Sequence, residues 1–84
     1  MLTIKVLGPG CSNCTALEAV TRKAVAMMGM PAEIVKVEDY VEIMKYPVLS
    51  TPALVINEKV VVSGRVPGVD QVTTWLADAA MQES

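Results

Sequence analysis

The sequence has 84 residues, of which 52% are hydrophobic and 19% are charged, a composition typical of a compact globular domain. Its net charge of −2 and isoelectric point of about 4.9 lack the basic excess typical of proteins that bind nucleic acids or anionic membranes. No apolar run approaches the roughly 20 residues of a membrane-spanning helix, and the amino terminus has no signal-peptide pattern. We therefore expect one domain over residues 1–84, cytoplasmic and monomeric, without nucleic-acid or membrane partners.

The chain opens with a short predicted strand and a long predicted helix. Apolar and polar residues alternate over residues 2–7, and the turn sequence Gly8-Pro9-Gly10 follows at once. A helix is then predicted from residue 11 or 12 to residue 28, because apolar residues recur at steps of three and four along it. Extending this apolar stripe back from Leu17 reaches Cys14. We therefore expect Cys14 to face the core and Cys11 to lie exposed at the start of the helix.

Three further strands and two further helices are predicted in the remainder, in the order strand, short helix, two-stranded hairpin and last helix. Residues 33–37 form a polar strand that suits a sheet edge, and its helical connection predicts parallel pairing with the first strand. Asp39 is expected to cap a short helix that carries Tyr40, Ile43 and Met44. Residues 53–56 and 60–62 form a hairpin. The last helix follows Pro67-Gly68 and has one apolar face, made of Val72, Trp75, Leu76 and Ala79.

The two cysteines, Cys11 and Cys14, are the chemically reactive pair of this chain. Two thiols at a strand-to-helix turn can undergo reversible dithiol–disulfide exchange or bind a soft metal ion. A disulfide closing so short a loop would stabilise the fold by only about 2 kcal/mol, which makes a structural staple a poor explanation. The absence of histidine excludes cysteine–histidine protease chemistry.

The unpaired N–H groups at a helix amino terminus favour a thiolate there, which suits Cys11 as the attacking group. Cys14, one turn further on, is then placed to resolve the mixed disulfide. This second step requires a residue near the cysteine pair that accepts the proton of the Cys14 thiol.

Three segments carry a resemblance to a known family: Gly10-Cys11-Ser12-Asn13-Cys14, residues 50–57 and Ser63-Gly64-Arg65-Val66-Pro67. With the predicted order βαβαββα, the chain resembles small thioredoxin-like proteins of the redox-active disulfide protein 2 type. The resemblance implies an α/β minimal thioredoxin fold, in which three helices flank a four-stranded mixed sheet.

The same resemblance implies a thiol–disulfide oxidoreductase with Cys11 and Cys14 as catalytic residues, no metal, and no cofactor other than their reversible disulfide. It makes Pro52 a cis-proline that faces the active site and lets Thr51 offer its backbone to a substrate. A disulfide reductase would donate electrons, and disulfide-containing proteins or small molecules would accept them. The implied substrate-binding residues are Gly10, Ser12, Asn13, Thr51 and Pro52.

Departures from the family pattern and one competing family leave alternatives open. Lys5 stands six residues before Cys11, where ordinary thioredoxins carry a buried aspartate, so the proton acceptor for Cys14 is undetermined; we expect the Lys5 ammonium to reach solvent. Residues up to 37 also resemble a heavy-metal-binding domain, which would make the chain a Cu(I) or arsenite carrier. Pro9, in place of the methionine usual in those domains, and the predicted carboxy-terminal helix oppose this alternative. A non-enzymatic interaction module is a third possibility.

The chain also has six methionines. Methionines are polarizable and flexible, and they commonly fill irregular gaps in hydrophobic cores. We expect this role, rather than copper binding, for Met27, Met28 and Met44.

Overall fold

The computed structural model describes residues 2–10, 12–48 and 50–83. Four strands and three helices follow the predicted order: β1 (Leu2–Leu7), α1 (Ser12–Met28), β2 (Ala32–Val37), α2 (Tyr40–Ile43), β3 (Ala53–Ile56), β4 (Lys59–Ser63) and α3 (Val69–Glu83). Among the described residues, no helix is long and apolar enough to cross a membrane.

The four strands form one mixed sheet in the order β2-β1-β3-β4. β1 and β2 run parallel, with Ile4 opposite Ile34, which confirms the predicted crossover through α1 and the edge position of β2. β1 pairs antiparallel with β3, and β3 with β4. A bulge interrupts the β3–β4 pairing between Leu54 and Val55. The arrangement is the minimal thioredoxin fold that the sequence resemblance implies.

Each face of the sheet is covered by its own apolar cluster. Leu2, Ile4 and Val6 point from β1 to one face, where they pack with residues of α1 and α3 such as Leu17 and Leu76. The opposite face is covered by α2, where Ile43 packs on a smaller group made of Leu7, Ala53 and Val55. The alternation of side chains along β1 therefore sends Lys5 to the α2 face.

Helix α1 confirms its predicted bounds, but Thr21 and Met27 depart from the burial that the apolar stripe predicts. Thr21 is fully buried, and its hydroxyl donates a 2.8 Å hydrogen bond to the Leu17 carbonyl, which satisfies the polar group. Met27 is 66% exposed, so the prediction that it fills the core was wrong. It lies one position before Met28, whose side chain does pack against the core.

Helix α2 is a single turn of four residues, and this shortness limits what it can bury. Asp39 caps it as predicted, its carboxylate accepting a 2.9 Å hydrogen bond from the Val41 N–H. Ile43 is buried, whereas Tyr40 and Met44 are 61% and 78% exposed. The expected core role of Met44 was therefore wrong, because one turn of helix presents only one side chain to the sheet.

The hairpin between β3 and β4 turns through two residues with positive φ, Asn57 at 50° and Glu58 at 69°. Two such residues define the type I′ turn favoured in tight hairpins. Asn57 is fixed to β1, because its N–H donates to the Thr3 carbonyl at 2.8 Å and its side chain accepts from the Thr3 N–H at 2.9 Å.

Candidate active site

The loop after β1 brings the backbone of Gly8 into direct contact with Cys14. The Gly8 N–H donates a 2.9 Å hydrogen bond to the Val37 carbonyl, which extends the β1–β2 pairing by one residue. A Cβ placed on Gly8 would overlap the Cys14 sulfur and would lie 3.1 Å from Cys14 Cβ and 3.9 Å from Pro52 Cα. Glycine is thus required by close approach, and the three residues form one contact group.

Cys14 lies in the first turn of α1, with a side chain that is 5% exposed, as its place on the apolar stripe predicted. Ser12 and Asn13, the first two residues of the helix, are exposed, so the helix start is open to solvent at these positions. Cys11 lies outside the described residues, and its predicted exposure and pairing stay predictions.

Pro52 forms the opposite wall of the contact group. The Thr51–Pro52 peptide bond is cis, which confirms the expectation drawn from the family resemblance. The Pro52 carbonyl accepts a 2.8 Å hydrogen bond from the N–H of Gly64, which follows β4 and has a φ of 80°. Gly64 also lies against Ser50, whose hydroxyl occupies the space that a Cβ at position 64 would need. The segment before β3 is therefore held by the segment after β4.

A surface cavity of about 330 Å³ adjoins Thr51 on the side of α2. Thr51 is half-buried, and within the described part of the chain it takes part in no hydrogen bond. The cavity is lined mainly by apolar and aromatic side chains: Tyr40, Ile43, Met44, Tyr46, Val48, Ser50 and Thr51.

Lys5 is separated from Cys14 by the sheet. Its ammonium donates 2.7 Å hydrogen bonds to the Tyr46 hydroxyl and to a Glu58 carboxylate oxygen, so the lysine is paired on the α2 face instead of simply reaching solvent. The Glu58 hydrogen bond, followed by that of Tyr46, raises the pKa of Lys5. The hydrogen bond from Lys5, followed by a 3.1 Å hydrogen bond that the Tyr46 hydroxyl donates to Glu58, lowers the pKa of the Glu58 carboxyl. This arrangement directs the ammonium to Glu58 rather than to the cysteine pair.

Comparison with known proteins agrees with this geometry. The thioredoxin domain model matches residues 2–77. The chain belongs to the thioredoxin family. It is 36% identical over 72 residues to a thioredoxin of Methanocaldococcus jannaschii, a match that covers 86% of this chain and 83% of that protein. It is 31% identical over 77 residues to a thioredoxin of Methanothermobacter thermautotrophicus, covering 92% of this chain and all of that protein.

Membership of the thioredoxin family supports a thiol–disulfide oxidoreductase type of function. Of the predicted site residues, the structure brings Cys14 and Pro52 together around Gly8 and leaves Gly10, Ser12 and Asn13 exposed near the helix start. Sequence reasoning treated Gly8 only as a turn residue and missed its contact with Cys14. It also missed how Gly64 holds Pro52, although Gly64 lies in one of the segments that carried the resemblance.

Proposed function

We propose that this thioredoxin-family chain reduces disulfide bonds through Cys11 and Cys14, with Cys11 as the attacking thiolate and Cys14 as the resolving thiol. Its acceptors are disulfide-containing proteins or small molecules, and a disulfide reductase returns it to the dithiol form. The observation that carries the proposal is the contact group of Gly8, Cys14 and Pro52, which places a sheltered sulfur beside a cis-proline at the amino end of a helix.

The burial of Cys14 supports the division of roles. Cys14 as a residue is only 5% exposed, so its sulfur is poorly accessible to an external disulfide. The first attack is therefore assigned to Cys11. Cys11 is the residue before the first described residue of α1, where the helix dipole favours a thiolate. Three residues on, Cys14 is within one helical turn of it and suits the second step.

The reaction consists of two exchange steps. The Cys11 thiolate attacks one sulfur of the substrate disulfide, a mixed disulfide forms, and the other substrate sulfur leaves as a thiolate that takes up a proton. Cys14 then loses its proton and attacks the Cys11 sulfur, which releases the second substrate thiolate and leaves a Cys11–Cys14 disulfide. Two electrons pass to the substrate, and a reductase supplies two electrons and two protons to complete the cycle.

Thr51 and its cavity support an extended peptide as one kind of acceptor. The Thr51 backbone lies just before β3 and has no hydrogen-bond partner among the described residues. Such a backbone can form hydrogen bonds with an extended strand of another molecule. The neighbouring cavity beside Tyr40 and Met44 would take an apolar side chain of that strand. Gly10, Ser12 and Asn13 complete the proposed contact surface around Cys11.

A trapping experiment tests the assignment of roles. Cys14→Ser, incubated with a disulfide-containing protein, should accumulate a mixed disulfide through Cys11, because the resolving thiol is missing. The wild type, which keeps both thiols, should release its substrate and accumulate no mixed disulfide. Trapping by Cys11→Ser through Cys14, seen by peptide mass spectrometry, would reverse the roles.

A second measurement separates redox chemistry from metal transport. The reduced protein should turn over a model disulfide and equilibrate with glutathione. Tight stoichiometric binding of Cu(I) or arsenite by the reduced protein, together with failure to turn over the disulfide, would favour the carrier alternative instead.

A further inference from the structure

The carboxylate of Glu38 lies beside the loop that leads into the cysteine pair. A Cβ placed on Gly10 would be 3.6 Å from Glu38 Oε2, which is ordinary van der Waals contact. Gly10 is bonded to Cys11 in the sequence. A negative charge at the end of β2 therefore lies next to the segment that carries the proposed nucleophile.

Glu38 is the last member of a row of alternating charges that runs from α1 across β2. Arg22 pairs with Glu18 at 2.9 Å, Glu18 with Lys36 at 3.4 Å, and Lys36 with Glu38 at 3.8 Å. Glu18 is the most sheltered of these four side chains, at 17% exposure, whereas Glu38 is 55% exposed. The last contact is the longest, so Lys36 neutralises the Glu38 charge only in part.

We propose that Glu38 makes the cysteine pair a stronger reductant through its charge. This inference rests on the proposed function. The reduced pair carries a thiolate when Cys11 ionises, whereas the disulfide carries no charge. A carboxylate near the thiolate raises the free energy of the reduced form relative to the disulfide, and electrons are then donated more readily.

The experiment measures the equilibrium in which the protein dithiol and oxidised glutathione give the protein disulfide and two molecules of reduced glutathione. At pH 8, Glu38→Gln should lower this equilibrium constant about threefold, the effect that Coulomb's law gives for charges roughly 7 Å apart in water. For a two-electron couple this is a potential less negative by about 14 mV. Lys36→Gln should shift the equilibrium in the opposite direction.

Glu33→Gln is the matched control, because Glu33 is an exposed residue near the start of β2, Glu38 directly follows the end of β2, and the charge change is identical. Five residues of strand place it roughly 16 Å from Glu38. Glu33→Gln should leave the equilibrium unchanged. In 1 M salt the difference between wild type and Glu38→Gln should shrink, which a packing effect would not do.

A second readout does not depend on redox activity. In a Cys14→Ser background and below the thiol pKa, Glu38→Gln should speed alkylation of Cys11 about twofold, since the thiolate fraction rises more than its nucleophilicity falls. Equal behaviour of Glu38→Gln and Glu33→Gln in both assays would overturn the role of Glu38. Failure of the wild type to equilibrate with glutathione would overturn the proposed function, while the alkylation comparison would still decide whether Glu38 acts on Cys11.

Discussion

Cys14 packs so closely against the backbone of Gly8 that a methyl group at position 8 would overlap its sulfur. We expect Gly8→Ala to lower the free energy of unfolding by about 1–3 kcal/mol, the usual cost of overpacking a filled site. We also expect slower turnover of a model disulfide, because the displaced sulfur no longer meets the resolving geometry. Urea unfolding and a turnover assay measure the two effects.

The control for this substitution is Gly68→Ala. Apart from Gly68 and its two chain neighbours, no atom of the described residues lies within 4 Å of a Cβ at Gly68, and its φ lies outside the left-handed region. Gly68→Ala should leave turnover unchanged. Equal turnover by both alanine variants would show that the Gly8 contact does not position Cys14.

The hydrogen bond from Gly64 to the Pro52 carbonyl predicts a separate effect on the substrate side. Gly64→Ala places a side chain at a φ of 80° and against the Ser50 hydroxyl, so we expect a loss of about 1–2 kcal/mol and weaker substrate binding. Gly29→Ala is the control, because Gly29 has a φ of 64° and open space around it. It should lose a similar amount of unfolding free energy from backbone strain, but its KM should not change. A rise in KM for both variants would indicate a general loss of folded protein instead.

The Lys5–Glu58 pair predicts a pH dependence of stability. The folded-state pKa of Glu58 is lowered from its ordinary value of 4.5, so the contribution of the pair is fully present above that value. It is lost as the pH falls through the lower folded-state pKa. The raised pKa of Lys5 places the corresponding loss on the alkaline side, above 10.5.

A double-mutant cycle with Lys5→Met and Glu58→Gln isolates this pair. The coupling in urea unfolding should be present at pH 7 and diminish toward pH 3. Lys5→Met should also leave the reduction potential of the cysteines unchanged, since its ammonium is paired on the far face of the sheet. A pH-independent coupling, or a shifted potential in Lys5→Met, would contradict this interpretation.

Helix α2 predicts two opposite outcomes for neighbouring residues. Ile43→Ala should cost about 2–5 kcal/mol, because this side chain is 3% exposed and joins α2 to the sheet. Met44→Ala, at a position that is 78% exposed, should change the stability by less than about 0.5 kcal/mol. Denaturant midpoints with unchanged slopes would verify both values. A large loss for Met44→Ala would mean that its side chain makes stabilising contacts despite its exposure.

The fold was predictable because its local signals agree with one another. The Gly8-Pro9-Gly10 turn and the apolar stripe from Cys14 to Met28 determine α1, and the same stripe predicts the burial of Cys14. Met44 was misplaced because the pattern does not reveal that α2 stops after one turn.

The contacts around the site join residues that lie far apart in the sequence and meet only in the folded chain. Lys5 meets Tyr46 and Glu58 across 41 and 53 residues of chain, and no local pattern indicates such a pairing. The close contact between the Gly8 backbone and the Cys14 side chain likewise forms only once α1 has packed beside the loop.

The two outer strands also bear on association between copies of the chain. β2 exposes charged Glu33 and Lys36, and the pairing of β4 is interrupted by a bulge. Edge charges and bulges both hinder the addition of a strand from another molecule, which is how natural sheets avoid edge-to-edge aggregation. The β2 edge is protected by charged side chains and the β4 edge by a bulge. A substitution that makes one of these edges regular and apolar would therefore allow aggregation through that edge, while the opposite edge would stay protected.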